Sequence, residues 1–234
     1  MKIILSKNSK IQGLIMKDLL QLKNYKKTLI SFIFIFCATS IIQLFSGGGT
    51  NLLSILPVMI TLGFGMFSIA SFNYDEISKT DRYVRSLPIS IKEIVLSKYF
   101  FAIGSTIIGT LIGIPLTIIL SALFAKGELF SNLSEIVFVS LGGILGLSMI
   151  EAIQIPCIYK FGAEKARMQI FIITIVLLVV FALLIGGIFY WLDRWAIDIS
   201  NLKPIVPFVL VGLIVLVYHT SYKIAYKIYE KKEF

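Results

Sequence analysis

Residues 73–98 read NYDEISKTDRYVRSLPISIKEIVLSK. This is the longest polar run between apolar segments, one ending near Phe72 and the next starting near Tyr99. It carries five basic residues, Lys79, Arg82, Arg85, Lys92 and Lys98, and four acidic ones, Asp75, Glu76, Asp81 and Glu93. Asp75–Arg85 reads as a short polar helix. Ser86-Leu87-Pro88 ends it, because the residue before a proline is pushed out of the helical region. Ser90 and Glu93 then form the S-x-x-E pattern of a capping box. The helix that opens there runs through Ile94, Val95 and Lys98 into the next apolar segment. If the flanking segments cross a membrane, the run is a folded hairpin that offers a polar surface to a soluble partner.

The flanks support that condition. The 234 residues are 57% hydrophobic and only 15% charged, with a mean hydropathy of +0.91. A soluble domain carries about a quarter charged residues. The apolar residues gather into runs of about 20, the length that spans a hydrocarbon core of about 30 Å. The expected fold is an all-α polytopic membrane protein with six transmembrane helices, at about 28–45, 52–72, 99–124, 133–155, 169–190 and 204–222. The polar run 73–98 joins the second and third spans, and Pro156–Met168 forms a second basic loop. The connector 191–203 holds two tryptophans, suited to a membrane–water interface.

Residues 1–27 form a basic amphipathic N-terminal segment with seven lysines. Ile11, Leu14, Ile15, Leu19 and Leu22 fall on one helical face, while Lys10, Lys17, Asp18 and Gln21 lie off it. This predicts a helix in the membrane interface; a disordered basic tail is the plainer alternative. The segment is too polar for the apolar core of a cleavable signal peptide. Ser105, Gly109 and Gly113, then Gly142 and Gly146, repeat small residues at four-residue spacing, which lets helices approach closely. Packing within the chain is the simpler use of that spacing, and a contact with a second copy the other.

The net charge of +9 first suggests nucleic acid. Its distribution points elsewhere. Of 22 Lys and Arg, 19 fall in the N-terminal segment, the two basic loops and the tail 223–234. Only Lys126, Arg194 and Lys203 fall on the opposite side. That bias places both termini in the cytoplasm and draws the inner face to anionic lipid.

The chain lacks the residues of an enzyme site. No G-x-x-x-x-G-K-[ST] occurs, and Gly47–Gly49 has no accompanying lysine. No H-E-x-x-H or C-x-x-C occurs, and no metal site is expected. The only histidine, His219, sits near the end of the sixth span. Cys37 and Cys157 read as packing residues rather than a disulfide. The centres of the spans lack a charge relay, which argues against an ion-driven transporter. Glu135 and Glu151 lie near opposite ends of the fourth span. Glu151, at the basic end, is a candidate contact at the inner end of its span: snorkelling or paired with Lys160 or Arg167, or facing a substrate.

The loop motifs carry a resemblance. Asn73-Tyr74-Asp75-Glu76, Asp81-Arg82-Tyr83, Ser86-Leu87-Pro88-Ile89-Ser90, Ile94-Val95 and Lys98-Tyr99 resemble the first cytoplasmic loop of bacterial type-2 ABC transporter permeases. Pro156, Tyr159-Lys160-Phe161-Gly162 and Glu164-Lys165-Ala166-Arg167 resemble the second. The match extends over essentially the whole chain. It points to the small Gram-positive subgroup that includes the membrane subunit of the phenol-soluble modulin exporter.

The resemblance implies a half-transporter of the type V exporter fold in a bacterial cell membrane. A second permease copy, identical or paralogous, would pair with it. Separate ATP-binding subunits would carry the ATP and Mg, with no cofactor in this chain. The resemblance assigns ATPase coupling to Asp75, Glu76, Lys79, Asp81, Arg82, Tyr83 and Arg85, and to Glu164, Lys165 and Arg167 in the second loop. Pro88, Ser90 and Glu93 would form the stiff joint that passes motion to the third span. Apolar, aromatic-rich spans suit export of amphipathic peptides or lipid-like substrates, including cytolytic or antimicrobial peptides. A membrane immunity or sensor protein that binds such peptides without moving them is the alternative; a structural scaffold is another.

Overall fold

The computed structural model describes residues 7–45, 55–124, 129–163, 172, 175–176 and 206–232. Helix α1 (Lys7–Gln21) leads through a 3-10 turn at Leu22–Tyr25 into α2 (Lys26–Phe45). Then follow α3 (Leu56–Ile77), α4 (Thr80–Ser86), α5 (Ile91–Phe124), α6 (Leu129–Phe161) and α7 (Val206–Glu230). The described residues contain no strand. Leu56–Ile77, Ile91–Leu123 and Glu135–Phe161 are long and apolar enough to cross a membrane. The expected fifth span, 169–190, lies almost wholly outside the described residues, as do the connectors 46–51 and 191–203, and Lys126, Arg194 and Lys203.

α3 lies at the centre, packed along α5 and touching α2, α4 and α6, while α7 covers α6 and α5. The small-residue stripe of α5 explains the closest of these contacts. A Cβ on Gly109 would stand 2.8 Å from Phe64 Cβ and 2.9 Å from Thr61 Cα. One on Gly113 would stand 2.9 Å from Pro57 Cα. The two backbones therefore meet where only glycine fits, and Thr61 and Thr110 join hydroxyls across the seam at 3.3 Å. The spacing serves packing inside the chain. In α6 it is Gly143 that meets a neighbour, Val58, while Gly142 and Gly146 face open space.

Two expected boundaries are corrected. The polar helix expected over Asp75–Arg85 is divided. Asp75 to Ile77 form the last turn of α3, and Lys79, in the left-handed region at φ 51°, turns the chain into α4. The second loop, expected from Pro156, starts later, because α6 continues to Phe161. Proline brings no N–H, so the carbonyl four residues back loses its partner. That carbonyl is Ala152's, and the Ser221 hydroxyl of α7 donates to it. The helix ends at Gly162, whose φ of +84° and N–H bond to the Ile158 carbonyl at 2.8 Å make a left-handed C-terminal cap.

The largest core cluster lies at the basic end and draws on several helices. Val84 of α4, Val95 and Tyr99 of α5, Ile155 and Tyr159 of α6, and Tyr229 of α7 are all buried in it. The Tyr159 ring stands edge-on to Phe72 at 5.3 Å and tilted to Tyr229 at 4.8 Å. Cys37 and Cys157 are free thiols, each half-buried.

Candidate functional site

The polar run 73–98 does not form one surface. Its ends turn inward and its middle turns out. Asp75 stands in the last turn of α3, and Lys98 about two turns into α5. The two side chains meet between these helices and α1. Lys98 Nζ lies 2.6 Å from Asp75 Oδ2 and 3.0 Å from Asp18 Oδ1. It also donates to Ser71 Oγ at 2.6 Å and sits 4.9 Å from the Phe72 ring centre. Lys17 Nζ lies 2.7 Å from Asp75 Oδ1 and 3.2 Å from Asp18 Oδ1. Gln21 Nε2 donates to Asp75 Oδ1 at 3.2 Å. Two cations and two anions thus neutralise one another, with Asp18 1% exposed and Lys98 6%. Burial alone would lower the Lys17 pKa; the carboxylates of Asp18 and Asp75 outweigh it and hold the ammonium above its ordinary value.

This cluster corrects the reading of α1. Leu14, Asp18 and Leu22 face the bundle at i, i+4 and i+8, while Met16, Leu19 and Leu20 are exposed. The helix has two apolar neighbours, protein and the surroundings of the bundle, so one apolar stripe does not describe it. Asp18 lies on the inner face because Lys98 is there to neutralise it.

The middle of the run is an elbow. Val84 seats α4 on the core. The Arg85 guanidinium donates to the backbone carbonyls of Tyr229 and Lys232 and lies 4.4 Å over the Tyr229 ring. Glu76 accepts the Ala163 N–H, which ties the end of α3 to the end of α6. Lys10 Nζ donates to the Pro88 carbonyl at 2.9 Å, which ties in α1. Ser90 and Glu93 exchange the bonds of a capping box. Glu93 Oε2 accepts from Ser90 N at 2.9 Å and Ser90 Oγ at 2.8 Å, and Glu93 N donates to Ser90 Oγ at 3.3 Å. Burial, then the negative charge of Asp75, raise the Asp81 pKa above its ordinary value. Between these attachments Ile77 is 81% exposed and Tyr83 66%. Lys79 is exposed beside them, and Arg82 lies between Asp81 and Tyr83 in α4.

Glu151 sits in a different layer, 1% exposed between α5, α6 and α7. It accepts a hydrogen bond from the Tyr218 hydroxyl at 2.6 Å, and Thr106 Oγ1 stands 3.4 Å from both its oxygens. The expected pairing with Lys160 is not formed: that ammonium lies 4.9 Å over the Phe161 ring. Thr106 and Tyr218 are also part of the wall of an open groove of about 570 Å³ between α5 and α7.

The model of the ABC-2 family transporter proteins matches residues 13–230, from α1 to the end of α7. The chain belongs to the ABC-2 transporter family. No curated protein matches it. An ABC-2 protein is the membrane-spanning permease of an ABC transporter and works with an ATP-binding subunit, as the loop motifs imply.

Within this ABC-2 permease the expected coupling residues are dispersed. Asp75 is buried in the charge cluster, and Glu76 and Arg85 hold the elbow in place. Lys79, Asp81, Arg82 and Tyr83 lie along it, while Glu164, Lys165 and Arg167 lie outside the described residues. Sequence reasoning missed Ile77, an exposed isoleucine at the elbow's tip. The signal was an apolar residue flanked on both sides by polar ones, just beyond the expected end of a span. It also missed that Lys17, Asp18 and Lys98 belong together, since they are distant in the chain.

Proposed function

We propose that this permease is one half of an exporter with six spans, both termini cytoplasmic, in a Gram-positive cell membrane. It pairs with a second permease copy and receives two separate ATP-binding subunits, which carry ATP and Mg. Its cargo is amphipathic or hydrophobic, in the class of cytolytic or antimicrobial peptides. The family supports the permease role; the loop resemblance supports the finer subgroup, the export direction and the cargo.

The observation that carries the coupling reading is the elbow Ile77–Ser90. Its base is bonded to α1, α6 and α7, while Ile77 and Tyr83 stand exposed between polar neighbours. A fixed base with an exposed apolar and aromatic tip suits docking into a cleft on a soluble protein. Force on that tip acts directly on α3 and α5, which enclose it in the chain. The capping box at Ser90–Glu93 starts α5 at a defined residue, so that the push is not absorbed by fraying.

The test is co-purification from the native host. Wild type should bring an ATP-binding subunit with it, and Asp81→Ala with Arg82→Ala should reduce that subunit and peptide export together. Unchanged recovery and export in the double variant would remove the elbow from the interface. Recovery of the permease alone in several mild detergents would favour the immunity reading.

A further inference from the structure

We propose that the groove between α5 and α7, with Glu151 behind its wall, binds a cationic amphiphile: an amine or guanidinium joined to an aliphatic or aromatic body. The proposal deepens the export reading and rests on it for physiological sense, although the binding itself is measurable without any ATPase.

The groove encloses about 570 Å³, within the ~300–1,000 Å³ range of small-molecule pockets. Phe100, Ile103, Ile107, Ile214 and Val215 supply apolar walls. Thr106, Ser148 and Tyr218 also line it, and the hydroxyls of Thr106 and Tyr218 touch the Glu151 carboxylate. The groove surface is therefore almost wholly apolar, and the Thr106 and Tyr218 hydroxyls turn away from it to the buried acid behind.

Charge complementarity selects the occupant. A buried carboxylate is costly unless a cation is paired with it. Among the described residues Glu151 has hydroxyl donors and no basic partner. Lys98 is already held by Asp18 and Asp75, and Lys160 by Phe161. The Thr106 contact is long at 3.4 Å, and the same hydroxyl has a better acceptor in the Ala102 carbonyl at 3.1 Å. An incoming N–H donor can displace Thr106 from the carboxylate without leaving its hydroxyl unbonded. Tyr218 keeps its 2.6 Å bond and steadies the acid. An anionic head would meet the carboxylate in a low-dielectric setting and be repelled.

The experiment uses the full chain in phosphatidylcholine nanodiscs and two photoactivatable probes with the same diazirine-bearing dodecyl chain, one an amine and one an alcohol. Labelled peptides are mapped by mass spectrometry. The amine should label the segments lining the groove, Leu96–Ile107 and Val211–Tyr222, about ten-fold more than the alcohol, as one charge-assisted hydrogen bond provides. Glu151→Gln should bring the amine down to the level of the alcohol, and Ile103→Trp should block both by filling the groove. Equal labelling by the two probes, or undiminished amine labelling in Glu151→Gln, overturns the proposal. If Glu151→Gln does not fold, Ile103→Trp decides alone: lost amine labelling supports the site and retained labelling overturns it. Failure to find an ATP-binding partner would sink the export reading but leave this result intact.

Discussion

Asp75 and Glu151 are both acids buried at helix contacts, and their surroundings are opposite. Asp75 shares two lysines with Asp18, and all four groups neutralise one another. Glu151 has a tyrosine and a threonine hydroxyl and no lysine or arginine among the described residues. The first arrangement is balanced in charge, although Asp18 Oδ2 has no hydrogen-bond partner among the described residues. It fixes α1 against α3 and α5, and leaves no charge for a ligand. The second is satisfied only by neutral donors and retains a preference for a cation. Structure and recognition have thus been given to different carboxylates.

The sharpest way to break this contrast is to unbalance the four-charge cluster. Lys98→Met leaves two carboxylates sharing one partly exposed lysine, and should destabilise the purified permease by about 3–5 kcal/mol. Adding Asp75→Asn restores neutrality, so the double variant should recover a large part of that loss. Thermal unfolding in detergent reads both. Additive losses would mean that the four charges do not act as a unit.

Glu151→Gln should cost far less, about 1 kcal/mol, because the amide oxygen still accepts from Tyr218. Tyr218→Phe should cost about as much, by removing the short bond to the acid. A loss from Glu151→Gln as large as that from Lys98→Met would make Glu151 a structural keystone, and the two layers would no longer differ.

The smallest expected effect concerns Asp81, and its sign is informative. A carboxyl whose folded pKa is raised costs stability while ionised. The cost is present above the folded pKa and vanishes below the ordinary value of 3.8. Asp81→Asn should therefore slightly stabilise the permease at pH 7. The gain should fade as the pH drops through the carboxylate range. A residue that costs stability at the elbow is best explained by binding, so the same variant should lose ATPase co-purification.

Much of the architecture was legible in the sequence because it rests on local chemistry. Ser90 and Glu93 are three residues apart, and the capping box formed as their spacing predicts. Gly109 and Gly113 marked a close helix contact for the same reason: one face, four-residue spacing. What escaped depended on partners far along the chain. Asp75 is expected among the ATPase-coupling residues, because the sequence does not show that Lys98 and Asp18 stand beside it. The second loop is expected to start at Pro156, but the helix carries on through that proline. The Ser221 hydroxyl that occupies the freed carbonyl lies far along the chain. Glu151 stands out in the sequence by its place near the basic end of a span, but its partner, Tyr218, is 67 residues away.

The most direct test of the central claim compares two equally exposed aromatics. Tyr83 at the elbow is 66% exposed, and Phe34 on α2 is 71%. A photo-crosslinking benzoylphenylalanine would replace each in turn in the native host, with irradiation in intact membranes. At Tyr83 the expected adduct is an ATP-binding subunit, at a yield that changes when nucleotide is trapped. At Phe34 no such adduct is expected. An ATPase adduct from neither position, or from both alike, would contradict the assignment of the elbow as the coupling site.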